Sequence, residues 1–352
     1  MLKRLLYLCA VLGVIIVAWG VYLFWSAGQF KTIEPHFTGR CKQVTGAIGA
    51  EDITIHPQTG IAYISAYDRR AVLEGRAGRG GIYAYDLNAA EPKPVNLTLD
   101  AGNDFRPHGI SLFVDDDYDV IFVVNHEGGK HSVEIYDIKD GGLSHRSTLS
   151  GSLLVSPNDL AAVGPNSVYV TNDHRYVSGV MRTLEEYLKL RRSNVVFFDG
   201  NHFKEAATGI GYANGINVSA DGKTVFVSAT TERALHLYDR DQGSAKLVLR
   251  EKIKLGSGVD NIEIDSSGAL WIGAHPKLLT FVRHARDQSK VAPSQVLRLT
   301  PKAAGDYDVE EVYLNQGEEL AASSVAAVSN MRMLVGAVFD PKFLDCQMAE
   351  SR

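Results

Sequence analysis

Six dipeptides, Glu51-Asp52, His108-Gly109, Asn158-Asp159, Asn214-Gly215, Asp260-Asn261 and Ser323-Ser324, each stand immediately before a run of alternating apolar residues that folds back on itself. All but the serine pair carry a carboxylate, a carboxamide or an imidazole. Carboxylate and amide oxygens without sulfur form the ligand set of a hard cation. Calcium takes roughly six to eight oxygens, whereas magnesium keeps its waters and zinc asks for more nitrogen or sulfur. A single Asn or Asp before a strand is ordinarily turn or capping chemistry. Recurrence at one phase of a repeat points instead to a shared site, where converging bare carboxylates would repel one another and lose hydration.

His108 shares this phase, and His126 ends the second strand of the same hairpin, so the two should lie close together. A lone histidine is more often a satisfied core residue. Two on one hairpin beside a metal can act as a base and a partner that tunes it. His275 sits at the equivalent end of the fifth hairpin. There is no Gly-x-Ser-x-Gly elbow, P-loop, His-Glu-x-x-His or Cys-x-x-Cys motif. Serine hydrolase, nucleotide and zincin chemistry are therefore unsupported.

The elements that must position these residues are six β-hairpins, at Ile53–Ser65, Gly109–Val124, Leu160–Thr171, Ile216–Ser228, Ile262–Gly273 and Val325–Val338. Further strand-like runs lie between them, at Gly81–Tyr85, Val133–Tyr136, Val195–Phe198, Ala234–Tyr238 and Gln295–Leu299. A period of roughly 50 residues with about four strands per period predicts an all-β, six-bladed β-propeller. A plain sandwich is the alternative, but it rarely repeats one hairpin at this spacing. The innermost strand of each blade lines the channel, so equal phase means equal height around its axis. Val180–Arg192 breaks the β rhythm with good helix formers at helical spacing and predicts an inserted amphipathic helix. It would cover the end of the propeller, form a wall of the site, or rest on lipid.

The 352 residues, 45% hydrophobic and 22% charged, suit a globular chain. A net charge of −5 with no basic stripe argues against nucleic acid as a partner. Leu5–Trp25 carries no charge and is long enough to span a bilayer. Residues 1–28 therefore read as a cytoplasmic stub and signal-anchor transmembrane helix, and 29–352 as the catalytic propeller domain. Lys3 and Arg4 predict export of that domain to the periplasmic, extracellular or lumenal side. Cleavage near Ser26-Ala27-Gly28 is the alternative. Cys9 lies in the apolar run, while Cys41 and Cys346 flank the soluble part. They are either two unrelated thiols or a disulfide that would persist outside the cytoplasm. A closed ring favours the disulfide.

The segments Ala50-Glu51-Asp52-Ile53, Pro107-His108-Gly109-Ile110-Ser111, Val124-Asn125-His126, Pro157-Asn158-Asp159, Thr171-Asn172-Asp173-His174, Ala213–Asn217, Asp260-Asn261-Ile262 and Ala274-His275-Pro276 resemble those of the paraoxonase (lactonase/arylesterase) family, collinearly from about Cys41 to Cys346. The resemblance implies two calcium ions in the tunnel. Glu51, Asn158, Asn214, Asp260 and Asn261 would hold an upper, catalytic ion. Asp52, Asp159 and the backbone carbonyl of Ile110 would hold a deeper, structural one. It further implies a His108–His126 dyad, Asp173 and His275 as supports behind the ligands, a Cys41–Cys346 disulfide and a retained N-terminal anchor. The basic, glycine-rich loop Tyr67–Gly81 and Ala274, which stands where that family has a free cysteine, depart from the family pattern at positions that bear on substrate preference.

The expected activity is calcium-dependent hydrolysis of lactones and aryl esters, with phosphotriesters as side substrates. His108 is the expected base, with Glu51 or Asp260 as the alternative. Two rival readings are a gluconolactonase-like enzyme for sugar lactones and a non-catalytic, calcium-stabilised binding propeller. A small-molecule substrate and the membrane are the expected partners, with no obligate protein partner.

Overall fold

A computed structural model describes residues 1–302 and 305–349. Six antiparallel sheets follow one another around a central axis. Their innermost strands are Ala50–Ile55, Pro107–Val114, Pro157–Gly164, Ala213–Val218, Gly258–Ile264 and Ser323–Ser329. Each packs against the next, and the sixth returns to the first, so the sheets are the blades of a six-bladed β-propeller, numbered here in that order. The core lies between adjacent blades: Val120, Phe122, Leu160 and Val196 fill one seam, and Ile53, Ile64, Val325 and Phe343 close the ring.

Closure depends on an exchange of ends. Gly39–Thr45 forms the outermost strand of blade 6 against Lys342–Met348, and this register sets Cys41 opposite Cys346. The two are joined as a disulfide.

One irregularity recurs in all six blades. The ladder between first and second strands slips at Ala50/Asp52, Pro107/Ile110, Pro157/Leu160, Ala213/Ile216, Val259/Ile262 and Ser323/Val325. A bulge bends its strand and re-aims the side chains at that point. Every dipeptide singled out from the sequence sits on one of these bulges. Gly109 and Gly215 let the neighbouring blades close in: a Cβ on Gly109 would come within 2.4 Å of Asp159 Oδ1, and one on Gly215 within 2.4 Å of the Asp260 carbonyl oxygen.

Helices gather at one end. α1 (Leu2–Ser26) is the candidate transmembrane helix. α2 (Arg69–Leu73) is capped by Asp68, whose carboxylate accepts from the Ala71 amide at 2.9 Å. α3 (Gly179–Tyr187) is shorter than the helix expected over Val180–Arg192: Lys189 turns into the left-handed region at φ 52° and ends it. α4 (Leu278–Arg286) was not anticipated. The end of α1 docks on this cluster. Leu278 donates its amide to the Ala27 carbonyl at 3.0 Å, Lys189 Nζ bonds Ser26 Oγ at 2.8 Å, and Trp19 Nε1 bonds the Tyr187 carbonyl at 3.3 Å.

Candidate active site

Glu51, Asp52, Asn158, Asp159, Asn214, Asp260 and Asn261 stand on the bulged innermost strands around the axis, and all seven are buried. The three carboxamides share one arrangement. Asn158 Nδ2 faces Asp173 Oδ2 at 3.5 Å, Asn214 Nδ2 donates to Thr230 Oγ1 at 3.2 Å, and Asn261 Nδ2 donates to Glu51 Oε1 at 3.0 Å. With each NH₂ tied back, the three Oδ1 atoms are buried without a hydrogen-bond partner, as is Glu51 Oε2. Unpaired buried oxygens are costly, and three oriented amide oxygens beside carboxylates match the donor chemistry of calcium.

The charge balance points the same way. Burial and the Glu51 carboxylate push Asp52 well above the usual carboxylate range. Burial and Asp52 do the same to Asp159, and burial raises Asp260. Glu51 is the exception: against burial, His108 and Arg69 hold it at about 2. Among the described residues only Arg69, with Nη2 3.6 Å from Glu51 Oε2, brings a permanent positive charge against one of these carboxylates within ion-pair distance. A divalent cation would relieve the remaining repulsion. Among the described residues no group of three or more His, Cys, Asp or Glu side chains forms a metal cluster by itself. This donor set relies on carboxamides, which that chemistry includes.

Asp52 and Asp159, the carboxylates expected at a deeper ion, each accept from backbone amides of two blades. Asp52 accepts from the amides of Ile53 at 2.9 Å and Ile110 at 2.7 Å. Asp159 accepts from Leu160 at 2.7 Å and Ile216 at 2.8 Å. Each carboxylate thereby staples its own blade to the next. Ser324 of blade 6 supplies no such group, and its hydroxyl instead donates to the Glu51 carbonyl at 2.6 Å.

His108 Nδ1 and His126 Nε2 are 2.9 Å apart, and His108 Nε2 stands 3.6 Å from Glu51 Oε2. Burial, then the charges of His108 and His131, hold His126 well below the usual histidine range. His275 Nε2 is 2.9 Å from Asp260 Oδ2, and its ring stacks on Phe281 of α4 at a 4.0 Å centroid distance. Asp173 accepts from Ser156 Oγ at 2.5 Å and pairs with His174 Nδ1 at 2.8 Å. Against burial, that pairing holds Asp173 at about 2.

Sequence reasoning missed Arg69, Phe281 and His131. Asp68 before a basic run was a legible cap signal. The 2.8 Å contact between His126 Nδ1 and His131 Nδ1 left no signal in strand alternation, because a turn at Glu127–Gly129 intervenes.

The arylesterase family model matches residues 29–348. Serum paraoxonase/arylesterase 2 of Rattus norvegicus is 38% identical over 321 residues, covering 88% of each chain. Serum paraoxonase/arylesterase 1 of Homo sapiens is 32% identical, over 90% of this chain and 91% of its own. Solved structures share the fold at low identity. A luciferin-regenerating enzyme matches at TM-score 0.55 with 11% identity, over 89% and 96% of the two chains. A gluconolactonase from Xanthomonas campestris matches at 0.52 with 15%, over 91% and 99%.

Proposed function

This chain belongs to the arylesterase family, and from that premise we propose that it is a calcium-dependent hydrolase of lactones and aryl esters, with lactones as natural substrates and phosphotriesters as side substrates. The family supports an esterase/lactonase activity on small molecules. The observation that carries the finer reading is the set of buried amide oxygens without a hydrogen-bond partner on Asn158, Asn214 and Asn261, beside Glu51 and the paired histidines.

Glu51, Asn158, Asn214, Asp260 and Asn261 would hold the catalytic ion, and Asp52, Asp159 and the Ile110 carbonyl a structural one. Bound calcium would supply Lewis-acid polarisation of the scissile carbonyl and stabilise its oxyanion. His108 Nε2 faces the same space as Glu51 Oε2 and accepts the proton of the attacking water. His126 accepts the hydrogen bond from His108 Nδ1, which fixes the His108 tautomer with Nε2 free to take that proton. His275 orients Asp260, and Asp173 fixes the Asn158 amide so that its oxygen faces inward.

Residues 1–28 would anchor the chain in a membrane and 29–352 form the exported catalytic domain. A long apolar helix and a disulfide that persists in oxidising compartments support this placement. The test is hydrolysis of a lactone panel and phenyl acetate by the detergent-solubilised chain, before and after chelation. Turnover that chelation removes and calcium restores supports the reading. Undiminished turnover after chelation overturns it.

A further inference from the structure

We propose that His131 extends the His108–His126 pair into a path of three rings that carries protons between the site and a groove on the flank of blade 2. His131 would act through His126 as a positioning residue, so the inference rests on the reading of that pair as the hydrolytic base.

His126 is engaged at both ring nitrogens, with Nε2 2.9 Å from His108 Nδ1 and Nδ1 2.8 Å from His131 Nδ1. The His126 and His131 rings are perpendicular, with centroids 4.9 Å apart. The turn that delivers His131 depends on Gly128 and Gly129 at φ 59° and 73°, a conformation glycine adopts without steric cost. Half-buried His131 lines a groove with Gly102, Phe105, Glu134, Tyr136 and His145. The chain of rings thus begins beside Glu51 and ends in a surface groove.

The hydrogen bonds constrain the protons. When all three rings are neutral, each contact needs one donor and one acceptor, so the chain is polarised in one of two directions. In the first, His108 Nδ1–H donates to His126 Nε2 and His126 Nδ1–H donates to His131 Nδ1. His108 Nε2 is then bare and His131 Nε2 carries the outermost proton. In the second, every donor and acceptor is exchanged. Passing from the first to the second moves one proton, in sum, from the site to the groove. It enters at His108 Nε2, two protons shift along the contacts, and one leaves His131 Nε2 for water or buffer.

Lactone hydrolysis needs such an outlet. Water and lactone give a hydroxy acid, whose carboxyl is ionised at neutral pH, so one proton is released per turnover. The surroundings disfavour a positive charge in the middle of the path. Burial, with His108, His131 and Arg69 of α2, lowers His126, and burial lowers His131, while Asp173 at the end of blade 3 opposes both shifts. Glu127, Lys130, Glu134 and His145 face the groove end.

The experiment compares His131→Ala, His131→Gln and His108→Gln with the unaltered chain, across pH and buffer concentration, with and without imidazole. Bound calcium and thermal midpoint are read in parallel, together with the imidazole N–H resonances of His126. The expected result is a loss of at least about tenfold in kcat for His131→Ala in dilute buffer. KM, calcium content and midpoint are unchanged, the His126 proton signal moves, and imidazole restores turnover. His131→Gln keeps a hydrogen bond to His126 but cannot relay, so it stays slow until imidazole is added. Wild-type kcat in His131→Ala, or full rescue by His131→Gln without imidazole, overturns the path. Either result leaves the base assignment standing, whereas full turnover by His108→Gln removes the base assignment and the path together.

Discussion

Asp260 and His275 form a braced pair: Oδ2 lies 2.9 Å from Nε2, and Phe281 of α4 clamps the imidazole at 4.0 Å. The ring fixes which way a tunnel carboxylate points, so its loss should be felt by the ion rather than by the fold. His275→Ala is expected to weaken calcium binding about 10- to 100-fold, measured by competition with a chromophoric chelator. Unchanged affinity would remove His275 from the site.

The bulges act together with the glycines that face them. Gly109→Ala places a Cβ within 2.4 Å of Asp159 Oδ1 and 2.7 Å of the Asn158 carbonyl oxygen. Overpacking of this kind costs about 1–3 kcal/mol, and here it also displaces two proposed ligands. The expected outcome is a lower denaturation midpoint together with weaker calcium binding. A shift in one without the other would separate blade packing from metal binding.

The Cys41–Cys346 disulfide closes a loop with a sequence separation of 305. In the chain-entropy model such a closure contributes about 5–6 kcal/mol. Replacing both cysteines by serine should therefore lower stability to denaturant by several kcal/mol while leaving turnover by the folded fraction unchanged. A midpoint equal to that of the parent would mean that blade 6 closes without the bond.

His174 ties α3 to blade 3 through Asp173 at 2.8 Å and Glu186 at 3.3 Å. Against burial, these carboxylates raise it to about 9. A raised histidine stabilises the fold fully below the unfolded value near ~6.5, and the contribution fades as pH rises through about 9. Its upper bound is about 3 kcal/mol, reduced by solvent because Glu186 is 42% exposed. The thermal midpoint of the parent should fall toward that of His174→Gln between these pH values. Parallel curves would contradict the assignment.

The blades were legible because each inner hairpin alternates over a turn whose residues declare it, as in Ile216–Ser228 with Asp221-Gly222 at the bend. The tunnel residues were legible by phase alone. What phase does not reveal is the bulge beneath each dipeptide, a one-residue slip imposed by how inner strands meet around the axis. Nor does it reveal which atom of each Asn faces inward, since that depends on acceptors such as Thr230. α4 was overlooked because Leu278–Arg286 owes its place to contacts outside its own run, Phe281 stacked back on His275 and the His284 carbonyl with the distant Arg70. The end of α3 was overrun because only the backbone of Lys189 betrays the stop.

The proposed role of the tunnel oxygens is to hold the calcium on which hydrolysis depends. Its most direct test measures bound calcium per chain and lactone turnover on the same samples, as the chelated protein and its Asn214→Ala variant are titrated with calcium. Turnover of the parent is expected to rise in step with bound calcium, while the variant stays folded, binds calcium more weakly and turns over far more slowly. Full turnover by calcium-free protein, or parent-like binding and turnover by Asn214→Ala, would contradict it.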